Sequence, residues 1–135
     1  MEYLIGVVLT LAAAAFAAVI GFDRERAFYS TVLIVIASYY VLFAAMGGSG
    51  QTVVVESLCA GVFLLCAVIG FKSNYLLVVY ALVGHGIFDS AHHFLINNPG
   101  VPRWWPGFCL ASDVVFGAWL AVLLITRRQT LGKKV

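Results

Sequence analysis

The chain has 135 residues, 63% of them hydrophobic and 10% charged, with a formal net charge of +2. Soluble domains carry roughly 25% charged residues, so a water-facing surface of ordinary size is excluded and lipid is the expected solvent for most of the exterior. A single domain over residues 1–135 fits the length, with no room for an appended soluble domain.

A membrane-spanning helix needs about 20 mostly apolar residues, and five stretches meet or approach that requirement. The first runs from Tyr3 to Phe22. No Lys or Arg precedes Arg24, so it lacks the basic start of a secretory signal and reads as a mature helix. The charged group Asp23-Arg24-Glu25-Arg26 ends it. The second, Ser30 to Met46, is expected to be the shortest. Gly47-Gly48-Ser49-Gly50 then reads as a turn, because it lacks the lysine of a phosphate-binding loop. The third covers Thr52 to Phe71, the fourth Tyr75 to Ile96, and the fifth Gly107 to Thr126. Between the last two lies Asn97 to Pro106, a loop with all three prolines and two tryptophans. It is a stiff connector placed to cover the mouth of the bundle. None of the five alternates apolar and polar residues as barrel strands do, so backbone groups must be satisfied within helices.

Lys and Arg divide unevenly between the two ends of these spans. Arg24, Arg26, Lys72, Arg127, Arg128, Lys133 and Lys134 fall on one side, and Arg103 alone on the other. Basic residues stay in the cytoplasm. The expectation is therefore an all-α membrane protein, five transmembrane helices in one bundle, N-terminus outside and C-terminus cytoplasmic. The expected location is the plasma membrane, which is the bacterial cytoplasmic (inner) membrane if the source is prokaryotic. Membrane lipid is the expected neighbour. Nucleic acid is not an expected partner, since the few basic residues suffice as topology determinants. Small residues (Gly117 with Ala121, and Ala60, Ala67 and Gly70) suit helix packing and leave room for a homo-oligomer. Cys59, Cys66 and Cys109 all lie in apolar stretches, so no disulfide framework is expected.

The fourth span holds every histidine in Gly84-His85-Gly86-Ile87-Phe88-Asp89-Ser90-Ala91-His92-His93. On a helix His85, Asp89 and His93 stack at i+4 steps with His92 beside them, an arc of roughly 100°. Glu56 in the third span and Asp113 in the fifth lie at matching depths in the outer half of the bilayer, with Tyr39 and Tyr40 nearby. Ionisable groups inside a membrane each cost a few kcal/mol by insertion scales and mark functional sites. Spans three, four and five are therefore expected to meet around a polar pocket. Three readings of it are open: a hydrogen-bonded packing network, a metal site, and a proton or ion pathway.

The leading reading is a metal-dependent membrane hydrolase or oxidoreductase acting on a small apolar or lipid-like substrate. His85, Asp89 and His93 would hold a divalent transition metal, zinc or iron. Glu56, Asp113 and His92 would be acid/base groups or further ligands. The alternatives are a small transporter or binding protein for a metal ion or proton-coupled solute, and a structural subunit of a membrane complex. The histidine run is slightly similar to the histidine boxes of membrane desaturases and hydroxylases. The inventory of three histidines, an aspartate and membrane serines is similar to that of alkaline-ceramidase-like zinc hydrolases. Three histidines are too few for the two-iron boxes, and the hydrolases spread their ligands over several helices, so the chain is assigned to neither.

Overall fold

Each apolar stretch folds as a helix bounded by the charges and turn residues that flank it. The computed structural model describes residues 1–132: α1 (Glu2–Ile20), a 3-10 turn (Phe22–Arg24), α2 (Ala27–Gly47), α3 (Gly50–Lys72), α4 (Leu76–Leu95) and α5 (Trp105–Gly132). There is no strand among the described residues. The side chain of Arg128, and Lys133 and Lys134, counted above toward the basic side, lie outside what is described. Gly21 ends α1 in the left-handed conformation, φ 86°, which costs glycine nothing. The Ser49 side chain accepts from Thr52 N and caps α3. Asn74 Oδ1 accepts from Leu76 N at the start of α4. The second helix, at 21 residues, is not the shortest: Ala27-Phe28-Tyr29 extend it back to the charged turn.

Four helices, α1, α2, α3 and α5 to Arg127, are long and apolar enough to cross a membrane. The remaining one, α4, has 20 residues but carries Asp89 and the three histidines. Its two sides differ sharply. Tyr80, Ile87 and Phe94, seven residues apart, are 71%, 59% and 80% exposed, whereas Val78, Leu82, His85, Asp89 and His92 are buried. Apolar side chains face outward, and His85, Asp89 and His92 face inward, whereas His93 is exposed. That polarity suits a hydrocarbon surround, where charged groups face the bundle interior.

The helices pack in the order α1, α5, α4, α3, α2, with α2 also reaching across to α4 and α5. Among the described residues α1 has neighbours only in α5 and the 3-10 turn, so the bundle is open between α1 and α2. Gly6, Thr10, Ala14 and Ala17 form the buried face of α1. Such small side chains let backbones approach in lipid.

The basic residues gather at one end. Arg26 Nε donates to Phe71 O at 2.6 Å, and its Nη2 to Ser73 O at 3.3 Å and Gly70 O at 3.4 Å. A guanidinium thus satisfies the orphan carbonyls at the C-terminus of α3, where the helix dipole favours a cation. The same group lies 5.1 Å above the Tyr75 ring, whose hydroxyl donates to the Arg26 carbonyl. Arg127 Nη2 donates to Asp23 O at 3.0 Å, tying α5 to the 3-10 turn. Inside this end an apolar core of Tyr29, Leu33, Ala67, Val78, Leu82 and Leu120 fills the bundle.

At the opposite end the α4–α5 loop rests on the end of α2. A Cβ at Gly100 would overlap the Phe43 carbonyl oxygen, and one at Gly47 would come within 2.9 Å of Gly100 Cα. Both neighbours are backbone and cannot rotate away. A Cβ at Gly61 of α3, by contrast, would meet nothing within 4 Å. Gly100→Ala is expected to lower stability in detergent by about 1–3 kcal/mol through overpacking. Gly61→Ala is expected to raise it by roughly 0.5–1 kcal/mol through helix propensity. Thermal unfolding followed by circular dichroism checks both.

Candidate functional site

The site begins with a close crossing of α4 and α5. A Cβ on Gly86 would stand 3.2 Å from both Asp113 Cβ and Leu110 O, and one on Gly117 would stand 2.8 Å from Val83 Cγ2. Glycine at these two places lets the helices meet. Around Gly86, the crossing brings His85 Nδ1 to 2.7 Å from Asp113 Oδ2 and 3.4 Å from Asp89 Oδ2. All three residues are buried, and each offers a ligand atom within 4.8 Å of the others. Phe63 closes one side, its ring edge-on to the His85 imidazole at 4.6 Å.

A second cluster lies nearer the loop end. His92 Nε2 is 2.7 Å from Glu56 Oε1. Asn98 Nδ2 donates to the same oxygen at 2.8 Å and to Tyr40 O at 3.1 Å. Asn98 Oδ1 in turn accepts from Gly100 N at 3.2 Å, so the loop's contact with α2 and the Glu56 carboxylate are held by one amide. The Tyr40 ring stacks on His92 at 4.0 Å and lies 6.2 Å from His85. It is the wall between the two clusters.

Hydrogen bonding does not account for all of this polarity. Both oxygens of Asp89, Oδ1 of Asp113, Oε2 of Glu56 and the Tyr40 hydroxyl are buried without a geometrically sound partner among the described residues. Unmade bonds on buried groups cost about 1–3 kcal/mol each, more for charged ones. The upper cluster pairs one carboxylate with one imidazole. The lower sets two carboxylates against one imidazole, so with both ionised it carries surplus negative charge that only a cation or a proton can offset.

Of the six site residues expected from sequence, five are buried in these clusters: His85, Asp89 and Asp113 below, His92 and Glu56 above. His93 is not among them. It is exposed and packs on the neighbouring Phe94 ring, 3.7 Å away. The reason is helical phase. At 3.6 residues per turn, His92 returns to within about 20° of His85, whereas His93 stands about 80° away. The carboxylate that joins His85 and Asp89 is Asp113, from the next helix. Asn98 reads in the sequence only as a turn residue. Its burial depends on the loop covering the bundle mouth, as expected of that connector, but nothing local marks Asn98 as the residue drawn inside. Cys109 is buried, and all three cysteines are free thiols.

The upper cluster adjoins a polar cleft of about 440 Å³ at the loop end, lined in part by Glu2, His92, His93, Asn98 and Arg103. Water and small polar species thus come within one residue of the His92–Glu56 pair. Asn98→Ala is expected to cost about 1–3 kcal/mol, because Glu56 Oε1 and Tyr40 O lose a donor. Asn98→Asp is expected to cost more, since an ionised carboxylate cannot donate and faces Glu56. Melting temperatures of the two variants in one detergent decide the order. No protein-family model matches the chain, and comparison with curated proteins and with solved structures likewise gives no match.

Proposed function

We propose that the chain is a metal-dependent membrane enzyme whose ion is held by His85, Asp89 and Asp113 and whose substrate is apolar or lipid-like. The observation that carries this reading is Asp89. It is fully buried, neither of its carboxylate oxygens accepts a hydrogen bond, and its nearest charged neighbour is the His85 imidazole at 3.4 Å. Ligands about 2.0–2.2 Å from a tetrahedral ion stand roughly 3.3 Å apart. The 3.4 Å between His85 Nδ1 and Asp89 Oδ2 suits that spacing, whereas the 2.7 Å contact to Asp113 is a hydrogen bond that a bound ion would replace. Imidazole with two carboxylates suits zinc or iron. Three protein ligands leave a position free for a reactant, and a bound ion would act there as a Lewis acid.

The chain's own groups divide the remaining work. Glu56 holds His92 through Nε2, as a carboxylate orients a catalytic imidazole. That leaves His92 to exchange a proton on the cleft side. Asn98 keeps Glu56 in place, and Tyr40 separates the proton-exchanging pair from the ligand set. A transporter for an ion or proton is less well supported. Beyond His85 the bundle is filled by Leu33, Val78, Leu82 and Leu120, and polar side chains are buried again at Tyr29, Ser30 and Asp23 toward the basic end.

The same proposal sets all five helices across the membrane, α4 included, with the N-terminus outside and the basic end in the cytoplasm, in the plasma membrane (bacterial cytoplasmic membrane if prokaryotic). It leaves open a homo-oligomer. Gln51→Cys and Lys72→Cys on a background with Cys59, Cys66 and Cys109 replaced by alanine test this. A membrane-impermeant maleimide should label Gln51→Cys in intact cells and Lys72→Cys only after permeabilisation. The reverse pattern overturns the orientation.

The metal is tested by elemental counting on detergent-purified protein reloaded with zinc or iron. Wild type and His93→Ala should each hold about one ion per chain, and His85→Ala/Asp113→Asn should hold none. No bound ion in wild type after reloading, or equal loading in the double variant, refutes the site.

A further inference from the structure

The open seam between α1 and α2 leads from the loop end to the back of the ligand set. Two hollows lie along it, floored by α5. The first, about 500 Å³, is lined by Met1, Ile5, Leu9, Trp104 and Phe108 among others, with almost no polar surface besides Glu2. The second, about 230 Å³, continues past Ala13, Ile36 and Tyr39 and ends against Ser112, Asp113 and Phe116. They share Leu9, Trp105 and Phe108 as walls, so they run end to end as one groove. At its inner end the Ser112 hydroxyl and Asp113 Oδ1 are buried and unpartnered. This face is distinct from the polar cleft, which lies on the Tyr3 side of α1.

We propose that this groove seats one hydrocarbon chain of a single-chain amphiphile, its polar end at Trp104 and its distal carbons against Ser112 and Asp113. Three observations choose the occupant. The first is length: Met1 to Ala13 spans about 18 Å at 1.5 Å per residue, close to the roughly 15 Å of one leaflet's hydrocarbon. The second is width. Hollows of about 500 and 230 Å³ are the size of small-molecule clefts, roughly 300–1,000 Å³, which one hydrocarbon chain enters and fills, whereas a helix would only lie across their mouths. The third is polarity. The walls are apolar, and the tryptophan pair stands where interfacial aromatics hold amphiphile headgroups. The inference deepens the proposed function, on which it rests, by naming its substrate class: a chain seated here would present its distal carbons to the residues that hold the ion.

Ala13 lines the groove and is exposed toward it, so Ala13→Phe should obstruct the inner hollow without touching His85, Asp89 or Asp113. Val19, 86% exposed and outside both hollows, gives the control Val19→Phe. The probe is a long-chain fatty alcohol brominated near its distal end, titrated into protein in detergent while tryptophan fluorescence is read. Wild type and Val19→Phe should show saturable quenching at about one probe per chain, and Ala13→Phe an apparent affinity at least tenfold weaker. Metal loading is counted in the same samples and should be equal in all three. Linear, unsaturable quenching alike in all three means detergent partitioning only and overturns the groove, as does a change in oligomeric state of Ala13→Phe with quenching intact. Saturable quenching in a protein that takes up no metal keeps the groove and removes the metalloenzyme reading. Metal uptake without saturable quenching does the reverse.

Discussion

The constraint on which this protein depends is the cost of placing carboxylates and imidazoles inside an apolar bundle. An unpartnered ionisable group at such depth costs several kcal/mol, a large part of the 5–15 kcal/mol that holds a typical domain together. Helix α4 carries three such groups on one side, so it is stable only where other helices supply partners. Glu56 of α3 answers His92, and Asp113 of α5 answers His85. These pairs are why α4 sits between α3 and α5 with its apolar stripe of Tyr80, Ile87 and Phe94 turned out.

The partners must also come close enough, and glycine provides this at two scales. Gly86 lets α5 approach α4 until Asp113 meets His85, and Gly100 lets the α4–α5 loop sit on the carbonyl of Phe43. The second contact is far from any ligand, yet it bears on the site through Asn98, which bonds Gly100 N with one end of its amide and Glu56 with the other. Loop, helix end and carboxylate are one mechanical unit. The Arg26 contacts with the carbonyls of α3 play the matching part at the basic end, so each end of the bundle is closed by one polar side chain that reaches a different helix.

Most of this architecture is legible in the sequence because the signals are local and strong. The helix limits fall within a few residues of the charged and glycine-rich breaks. The meeting of spans three, four and five follows from the depth of Glu56 and Asp113. What is not legible depends on phase and on tertiary contact. A stack of i+4 steps favours His93, but burial selects the i, i+4, i+7 line of His85, Asp89 and His92, which drifts less around the helix. Asp113 reads in the sequence as an acid/base group or a further ligand, on a par with Glu56, because composition alone does not say which carboxylate lies nearest His85. Asn98 and the gap between α1 and α2 have no sequence signature at all: one is a turn-type residue drawn into the interior, the other the absence of a contact.

That gap gives the bundle its asymmetry. On one side of α1 the cleft reaches His92. On the other an apolar groove ends at Asp113. Tyr40 stands between, stacked on His92. Under the proposed function, an apolar reactant and a polar one would approach the buried clusters from opposite sides of α1, with Tyr40 between the two clusters.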